Sequence, residues 1–246
     1  MNMVRNNLRT DNMQPSNIVE HFGKQADEYE TLMERLVPRY HKQHSIINDI
    51  LPETSDVDIR VLDLGCGNGT LSELILKRYP QAAVVGLDLT PKMLKAYENK
   101  LAEYKDRYDL ILGDYRFEPI GRNYDIILAG LTLHHLTWGE RRDFYKMIYA
   151  ALNSHGSFIS SDIIIDEDWA TREKQYAVWK QFMESNGEDP EFWYSKHMEK
   201  DFPITLSDHF NWLSDAGFRD ITCHWRHNNF AITSAEKLCD SLRKKD

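Results

Sequence analysis

The chain has 246 residues, 41% hydrophobic and 28% charged, with 12 glycines, 8 prolines and a formal net charge of −9. Those proportions exclude collagen-like, low-complexity and wholly disordered polymers, and one core at this length buries roughly 70–75% of the unfolded surface without disulfides or metals. A balance of 30 basic against 39 acidic residues argues against a protein built to grip phosphate backbones, so nucleic acid is not the expected partner.

Residues 1–15 are polar and Asn-rich and read as a disordered arm. Residues 16–246 read as one domain, opened by a helical cap over 16–56. Ser16 or Asn17 can cap a helix through Tyr29, and a second helix runs to about Val37 before Pro38. A third, Arg39 to Leu51, puts Tyr40, His44, Ile47 and Leu51 on one face, and Pro52 ends it. The acidic stretch Glu53-Thr54-Ser55-Asp56 reads as a loop. The pattern then alternates. Strands are predicted at Arg60–Leu64, Ala82–Leu87, Tyr108–Leu112, Tyr124–Ala129 and Ser157–Ile165. Helices fall between them: one through Tyr79, one opening at Pro91 after Thr90, and one from Gly139 to Leu152. This alternation implies an α/β fold, a mostly parallel sheet with helices on both faces, which binds its ligand outside the carboxyl ends of the strands.

The alternation stops at Asp166. Residues 166–203 are too aromatic for a disordered loop and read as a lid of two short helices. A helix from Leu206 to Asp215 stops at Gly217. The strands Phe218–Trp225 and Phe230–Thr233 then form a hairpin around His227-Asn228-Asn229, before a charged, frayed tail. No apolar run approaches the ~20 residues that span a bilayer, and the N-terminus lacks a signal-peptide core. The scattered cysteines Cys66, Cys223 and Cys239 suit free thiols in the cytoplasm and show no metal-ligand spacing, so no metal is expected.

The sharpest motif is Asp63-Leu64-Gly65-Cys66-Gly67-Asn68-Gly69 on a strand-to-helix turn. Its glycines let backbone approach a ligand, and the helix behind presents unpaired N–H groups. The spacing is G-x-G-x-G, not the dinucleotide G-x-G-x-x-G, and Asp63 before it suits a cation or an amine better than a pyrophosphate. Asp88 closes the second strand about 20 residues on, where a carboxylate can accept from both ribose hydroxyls of a nucleoside. After the third strand, Asp114 of Gly113-Asp114-Tyr115 can accept from an adenine amino group, with Tyr115 or Leu89 packed on the ring.

This combination resembles the class I S-adenosylmethionine-dependent methyltransferases. A fourth match is Tyr124-Asp125-Ile126-Ile127-Leu128 running into Leu131-Thr132-Leu133-His134-His135-Leu136. The resemblance implies a Rossmann-like seven-stranded sheet whose last hairpin adds one antiparallel strand. It also implies S-adenosyl-L-methionine as cofactor and S-adenosyl-L-homocysteine as product. The cofactor would be held by Tyr40, Asp63, Gly65, Cys66, Gly67, Asp88, Leu89, Met93, Asp114, Tyr115, Ala129 and Leu131. Its methyl would project toward the end of the fourth strand. The stretches Phe22–Tyr29, Val37–Tyr40 and His209–Phe218 through Phe230 look similar to the carboxy-S-adenosylmethionine synthases, in which a tyrosine matching Tyr40 contacts the cofactor. There, Trp212 falls where those enzymes place an arginine for the cofactor's extra carboxylate, and an indole cannot neutralise a carboxylate.

The reading is therefore methyl transfer to a small-molecule acceptor. The alternatives are the carboxy-cofactor reaction, tRNA wobble-uridine modification and a non-catalytic cofactor-binding module. His134 and His135 are candidate bases. Trp179, Trp193, Tyr194 and Trp212 are candidate substrate contacts, the lid aromatics forming either a cage for a cationic amine or ordinary core. Arg172, Lys196 and His197 could meet an acidic group or be solvated surface. No membrane partner is expected, and a homodimer is compatible with the sequence.

Overall fold

The computed structural model describes residues 29–53 and 58–239. The expected N-terminal arm, the helix opening at Ser16, most of the 53–56 loop and the charged tail lie outside the described residues, as does the Phe22–Glu28 part of the resemblance.

Seven strands form the main sheet: β1 (Arg60–Leu64), β2 (Ala83–Asp88), β3 (Tyr108–Leu112), β4 (Tyr124–Gly130), β5 (Leu152–Ile165), β7 (Arg219–His227) and β8 (Phe230–Glu236). Their order is β3-β2-β1-β4-β5-β8-β7, and a two-residue strand, β6 (Ile204–Thr205), pairs with the end of β5. All first neighbours up to β5 run parallel, and β8 is antiparallel to both β5 and β7. The predicted hairpin is present, with Asn228 at φ 52 supplying the left-handed turn residue. The predicted start of β5 at Ser157 is late. The strand begins at Leu152, which pairs with Tyr124 across an irregular register.

Alternation along the central strands sorts two cores. Leu62, Leu64, Ile127 and Ala129 face α5 (Trp138–Ala151) and α8 (Leu206–Ala216) through Phe144, Tyr145, Ile148 and Leu213. Val61, Val84, Ile126 and Leu128 face α3 (Thr70–Arg78) and α4 (Pro91–Lys100) through Ile75, Leu76 and Tyr97. Burial on both faces explains why these strands read as continuous apolar runs. Helix starts follow their caps: Thr137 and Glu140 form a reciprocal capping box on α5, and Thr205 caps α8.

A third core lies beyond the carboxyl ends of the strands. It joins α1 (Tyr29–Leu36) and α2 (Tyr40–Ile50) to the insert, α6 (Trp169–Ser185) and α7 (Pro190–Lys200). Leu32, Met33, Leu36 and Val37 pack on Tyr176, Trp179, Met183, Ile163 and Phe230. Trp179 Nε1 donates to the Leu36 carbonyl at 2.7 Å, and Arg35 pairs with Glu188 at 2.6 Å. The insert is helical as expected, but α6 is 17 residues long rather than short. Its length lets one helix carry aromatics both to α1 and over the sheet end. Among the described residues no helix is long and apolar enough to cross a membrane.

Candidate active site

The chain leaves β1 toward β2 and β3, then crosses to β4 on the other side. This reversal opens a crevice at the carboxyl ends of β1 and β4, the place where parallel sheets hold ligands. Three connected cavities fill it. One of about 710 Å³ is lined by Gly65, Gly67, Asp88, Leu89, Met93, Asp114 and Tyr115. A second, about 490 Å³, lies on the other side of the glycine loop against Tyr40, Gln43, Asp63, Cys66 and Ser161. The third, about 850 Å³, lies under the insert and is lined by Met33, Ile163, Trp179, Met183, Trp193 and Phe230, with His134, His135 and Asp201 at one end. Tyr29 and Leu131 line all three.

Gly65 turns the chain out of β1 at φ +60, and a Cβ there would lie 2.3 Å from Thr132 Oγ1. Only glycine fits. Asp88 Oδ2 accepts from the Gly67 N–H at 2.9 Å and Oδ1 from the Thr90 N–H at 2.8 Å. One carboxylate thus fixes the loop tip and also lines the cleft. Burial pushes Asp88 above the usual carboxylate range, opposed by these N–H groups. Asp63 is fully buried with Oδ2 accepting from Ser72 Oγ at 2.7 Å, and burial raises its pKa to about 7. Among the described residues no cation pairs with this buried carboxyl, and one that lines a cavity suits an incoming ammonium.

Several expected contacts are placed otherwise. Ala129 is fully buried in the core under the sheet, because its side chain falls on the α5 face; Gly130 and Leu131 line the cavities instead. Trp212 lines none of the three cavities; it packs against the α5–α8 core with the Arg142 guanidinium over its ring. Tyr194 is likewise outside them, set edge-on to Tyr176 with Lys180 Nζ 3.8 Å from its ring centre. Trp179 and Trp193 do line the cavity under the insert, though both are also anchored, Trp193 Nε1 donating to Glu188. Asp114 lines the cleft, but the Arg116 guanidinium holds both its oxygens, with Nε 2.9 Å from each. Tyr115 packs on Phe144 and donates its hydroxyl to the Thr132 carbonyl. Arg172 closes on the Asp166 carbonyl and lines none of the three cavities.

The two histidines, on a short 3-10 turn after β4 (Leu133–His135), behave differently. His134 Nδ1 lies 2.5 Å from Asp162 Oδ1, and Arg141 Nη2 donates to the other Asp162 oxygen at 2.7 Å. Burial disfavours the charged ring, but Asp201 and Asp162 outweigh it and hold the His134 pKa above its ordinary value. His135 Nδ1 lies 3.0 Å from Asp201 Oδ1, and burial together with His134 holds its pKa below the ordinary value. His197 Nδ1 donates to the second Asp201 oxygen at 2.8 Å. Burial opposes ionisation of Asp201, yet the surrounding histidines pull its carboxyl far below the usual range. Asp162, Asp201, Tyr29 and Thr132 are not singled out as site residues by the sequence, and His197, read there as meeting an acidic group or as solvated surface, is buried against Asp201. They join the site through tertiary contact, and no local spacing marks them.

The fold is that of the class I S-adenosylmethionine-dependent methyltransferases. A methyltransferase domain profile matches residues 61–156. Over 118 residues the chain is 32% identical to malonyl-[acyl-carrier protein] O-methyltransferase of Priestia megaterium, covering 48% of this chain and 42% of that enzyme. It is 25% identical over 216 residues to carboxy-S-adenosyl-L-methionine synthase of Nautilia profundicola, covering 86% of this chain and 92% of that one. Human N-acetylserotonin methyltransferase in complex with S-adenosylmethionine superposes with a TM-score of 0.60 at 18% identity, over 91% of this chain and 59% of that one. The chain thus spans about three-fifths of that protein.

Proposed function

We propose that the chain binds S-adenosylmethionine and transfers its methyl to a small, largely apolar acceptor with one polar end. The observation that carries this reading is the junction of the cavities. Among the described residues, the cleft between the glycine loop and Asp88 and the apolar cavity under the insert share only Tyr29, Leu131 and His135 in their linings. A nucleophile in one cavity would therefore meet a methyl presented from the other across the junction that these residues line.

The residues fit the cofactor. Asp88 faces the place of the ribose hydroxyls, Asp63 the amino group, and Leu89 and Met93 an apolar ring edge. When bound, the sulfonium supplies an already activated methyl. The chain's part is then to align the acceptor, exclude water with Tyr29 and Leu131, and take up a proton beside His135 if the acceptor arrives protonated.

Ordinary methyl transfer is favoured over the carboxy-cofactor reaction because the place that the resemblance assigns to an arginine for the extra carboxylate is held by Trp212, an indole that lines none of the three cavities. The test is calorimetric titration with S-adenosylhomocysteine, followed by incubation of methyl-labelled cofactor with a panel of small aromatic and aliphatic acceptors. Saturable binding and label in a small product are expected. Tight binding with no transfer to any acceptor would favour a non-catalytic module.

A further inference from the structure

His134, His135 and Asp201 each offer one donor atom, and those atoms all lie within 4.8 Å of one another at the polar end of the acceptor cavity. His134 Nε2 is 3.9 Å from Asp201 Oδ2, and His135 Nδ1 is 3.0 Å from Oδ1. The shorter separation is that of adjacent octahedral corners with bonds of about 2.0–2.2 Å, and the longer one exceeds even tetrahedral adjacent-corner distances by a few tenths of an ångström, so a small side-chain movement completes the site. We propose that these three residues bind a divalent transition-metal ion, whose open positions face the acceptor cavity and take an oxygen or nitrogen of the acceptor.

Three features support a built site. First, the donors come from two rigid places, the 3-10 turn after β4 and the C-terminal cap of α7. Backbone ties them together, since the Phe202 N–H donates to the His134 carbonyl at 2.6 Å. Second, outer partners already orient the donors. Asp162 holds His134 Nδ1, leaving Nε2 toward Asp201, and Arg141 holds Asp162 in turn. This carboxylate–histidine arrangement is what fixes the tautomer of a metal-ligating imidazole. His197 does the corresponding work on the Asp201 carboxylate. Third, two imidazoles with one carboxylate suit zinc, iron, cobalt or nickel, and not magnesium or calcium, which demand oxygen.

The binding itself stands apart from the methyl-transfer reading. What the ion does for the acceptor rests on that reading: a hydroxyl coordinated to it would lose its proton more readily and be held in place. Without the ion, the same three groups form a hydrogen-bonded cluster, and the experiment separates the two.

Tag-free protein is stripped with a chelator and titrated with Zn²⁺ by calorimetry and with Co²⁺ by visible absorption. One ion per chain is expected, with a cobalt d–d band. Asp201→Asn and His134→Ala should abolish the saturable site. Asp162→Asn removes no ligand and should weaken it about 10–100-fold. His41→Ala, an exposed histidine paired with Glu34, should leave it unchanged. Near-UV circular dichroism and S-adenosylhomocysteine titration verify folding of each variant. Absence of a one-to-one site in folded wild-type protein, or a site that survives Asp201→Asn, overturns the proposal. In either case homocysteine-cofactor binding by stripped protein reports separately on the methyltransferase reading.

Discussion

Asp63→Asn removes one charge with almost no change of shape, and it should move stability and cofactor affinity in opposite directions. Asp63 is fully buried, and burial raises its pKa from 3.8 to about 7. Between those values the folded chain keeps a proton that the unfolded chain has lost. Stability of the free protein therefore declines as pH rises through that window, by up to about 4 kcal/mol when complete. The Asn variant lacks this decline and should be the more stable form at pH 8, within that limit. Cofactor binding runs the other way. If the ammonium of the cofactor requires ionised Asp63, the ionised fraction sets the apparent affinity, which should rise about tenfold between pH 6 and pH 8. In Asp63→Asn the profile should be flat and the affinity lower by about 1.5–3 kcal/mol, the worth of one hydrogen bond to a charged group. Titration with S-adenosylhomocysteine at several pH values, paired with denaturant unfolding of the free protein, reads both effects. An unchanged pH slope in the variant, or a variant less stable than wild type at pH 8, would refute the assignment.

The other expectations rest on single contacts. Asp88→Ala should weaken homocysteine-cofactor binding by about 1.5–3 kcal/mol for each lost charged hydrogen bond; affinity equal to wild type in calorimetry would remove Asp88 from the ribose site. Gly65→Ala forces a side chain into φ +60 and to within 2.3 Å of Thr132 Oγ1. It should cost about 1–3 kcal/mol from the backbone alone and more from the clash, read as a lowered melting temperature. Trp179→Ala empties the space between α6 and α1 and strands the Leu36 carbonyl. A loss of about 3–5 kcal/mol in denaturant unfolding is expected, and a loss below 1 kcal/mol would mean that the insert closes independently of α1.

What was legible in the sequence follows how local each feature is. The glycine loop and Asp88 could be read because a tight strand-to-helix turn dictates its own residues, and the loop's partner sits one βα unit away. Sheet class was legible for the same reason, since burial on both faces writes continuous apolar runs. Ala129 falls in the core because the alternation that puts Leu128 against α3 and α4 sends its neighbour to the opposite core. For the lid aromatics the sequence leaves cage and core open, because an indole or phenol that fills a core looks the same in sequence as one that lines a cavity; here Lys180 covers the Tyr194 ring and Arg142 the Trp212 ring. Asp114 carries the right residue type, but Arg116, two positions on, takes both its oxygens, a pairing that the turn geometry decides. Asp201 was invisible, because its importance comes from His134 and His135, more than sixty residues earlier.

The same division between local and distant contacts explains how one junction can serve two ligands. Leu131 sits in the left-handed region at φ 52, a conformation that a branched residue adopts only under constraint. The constraint is visible: its N–H donates to the Ser161 carbonyl on β5 at 2.7 Å. Ser161 Oγ in turn donates to Gln43 on α2 at 2.6 Å. The end of β4 is thereby held to β5, and β5 in turn to the N-terminal cap. A relaxed, extended Leu131 would prolong β4 and follow the strand's alternation. Bent as it is, its side chain stands where all three cavities meet. Glycine would relieve the strain at this position but would also remove the wall between cofactor and acceptor. The chain keeps leucine, and the strain of about 1–3 kcal/mol is sustained by the two hydrogen bonds that tie strand, sheet and cap together. On this argument the cap and the insert do more than cover the site. They hold β4 in the conformation that makes two ligand spaces out of one crevice.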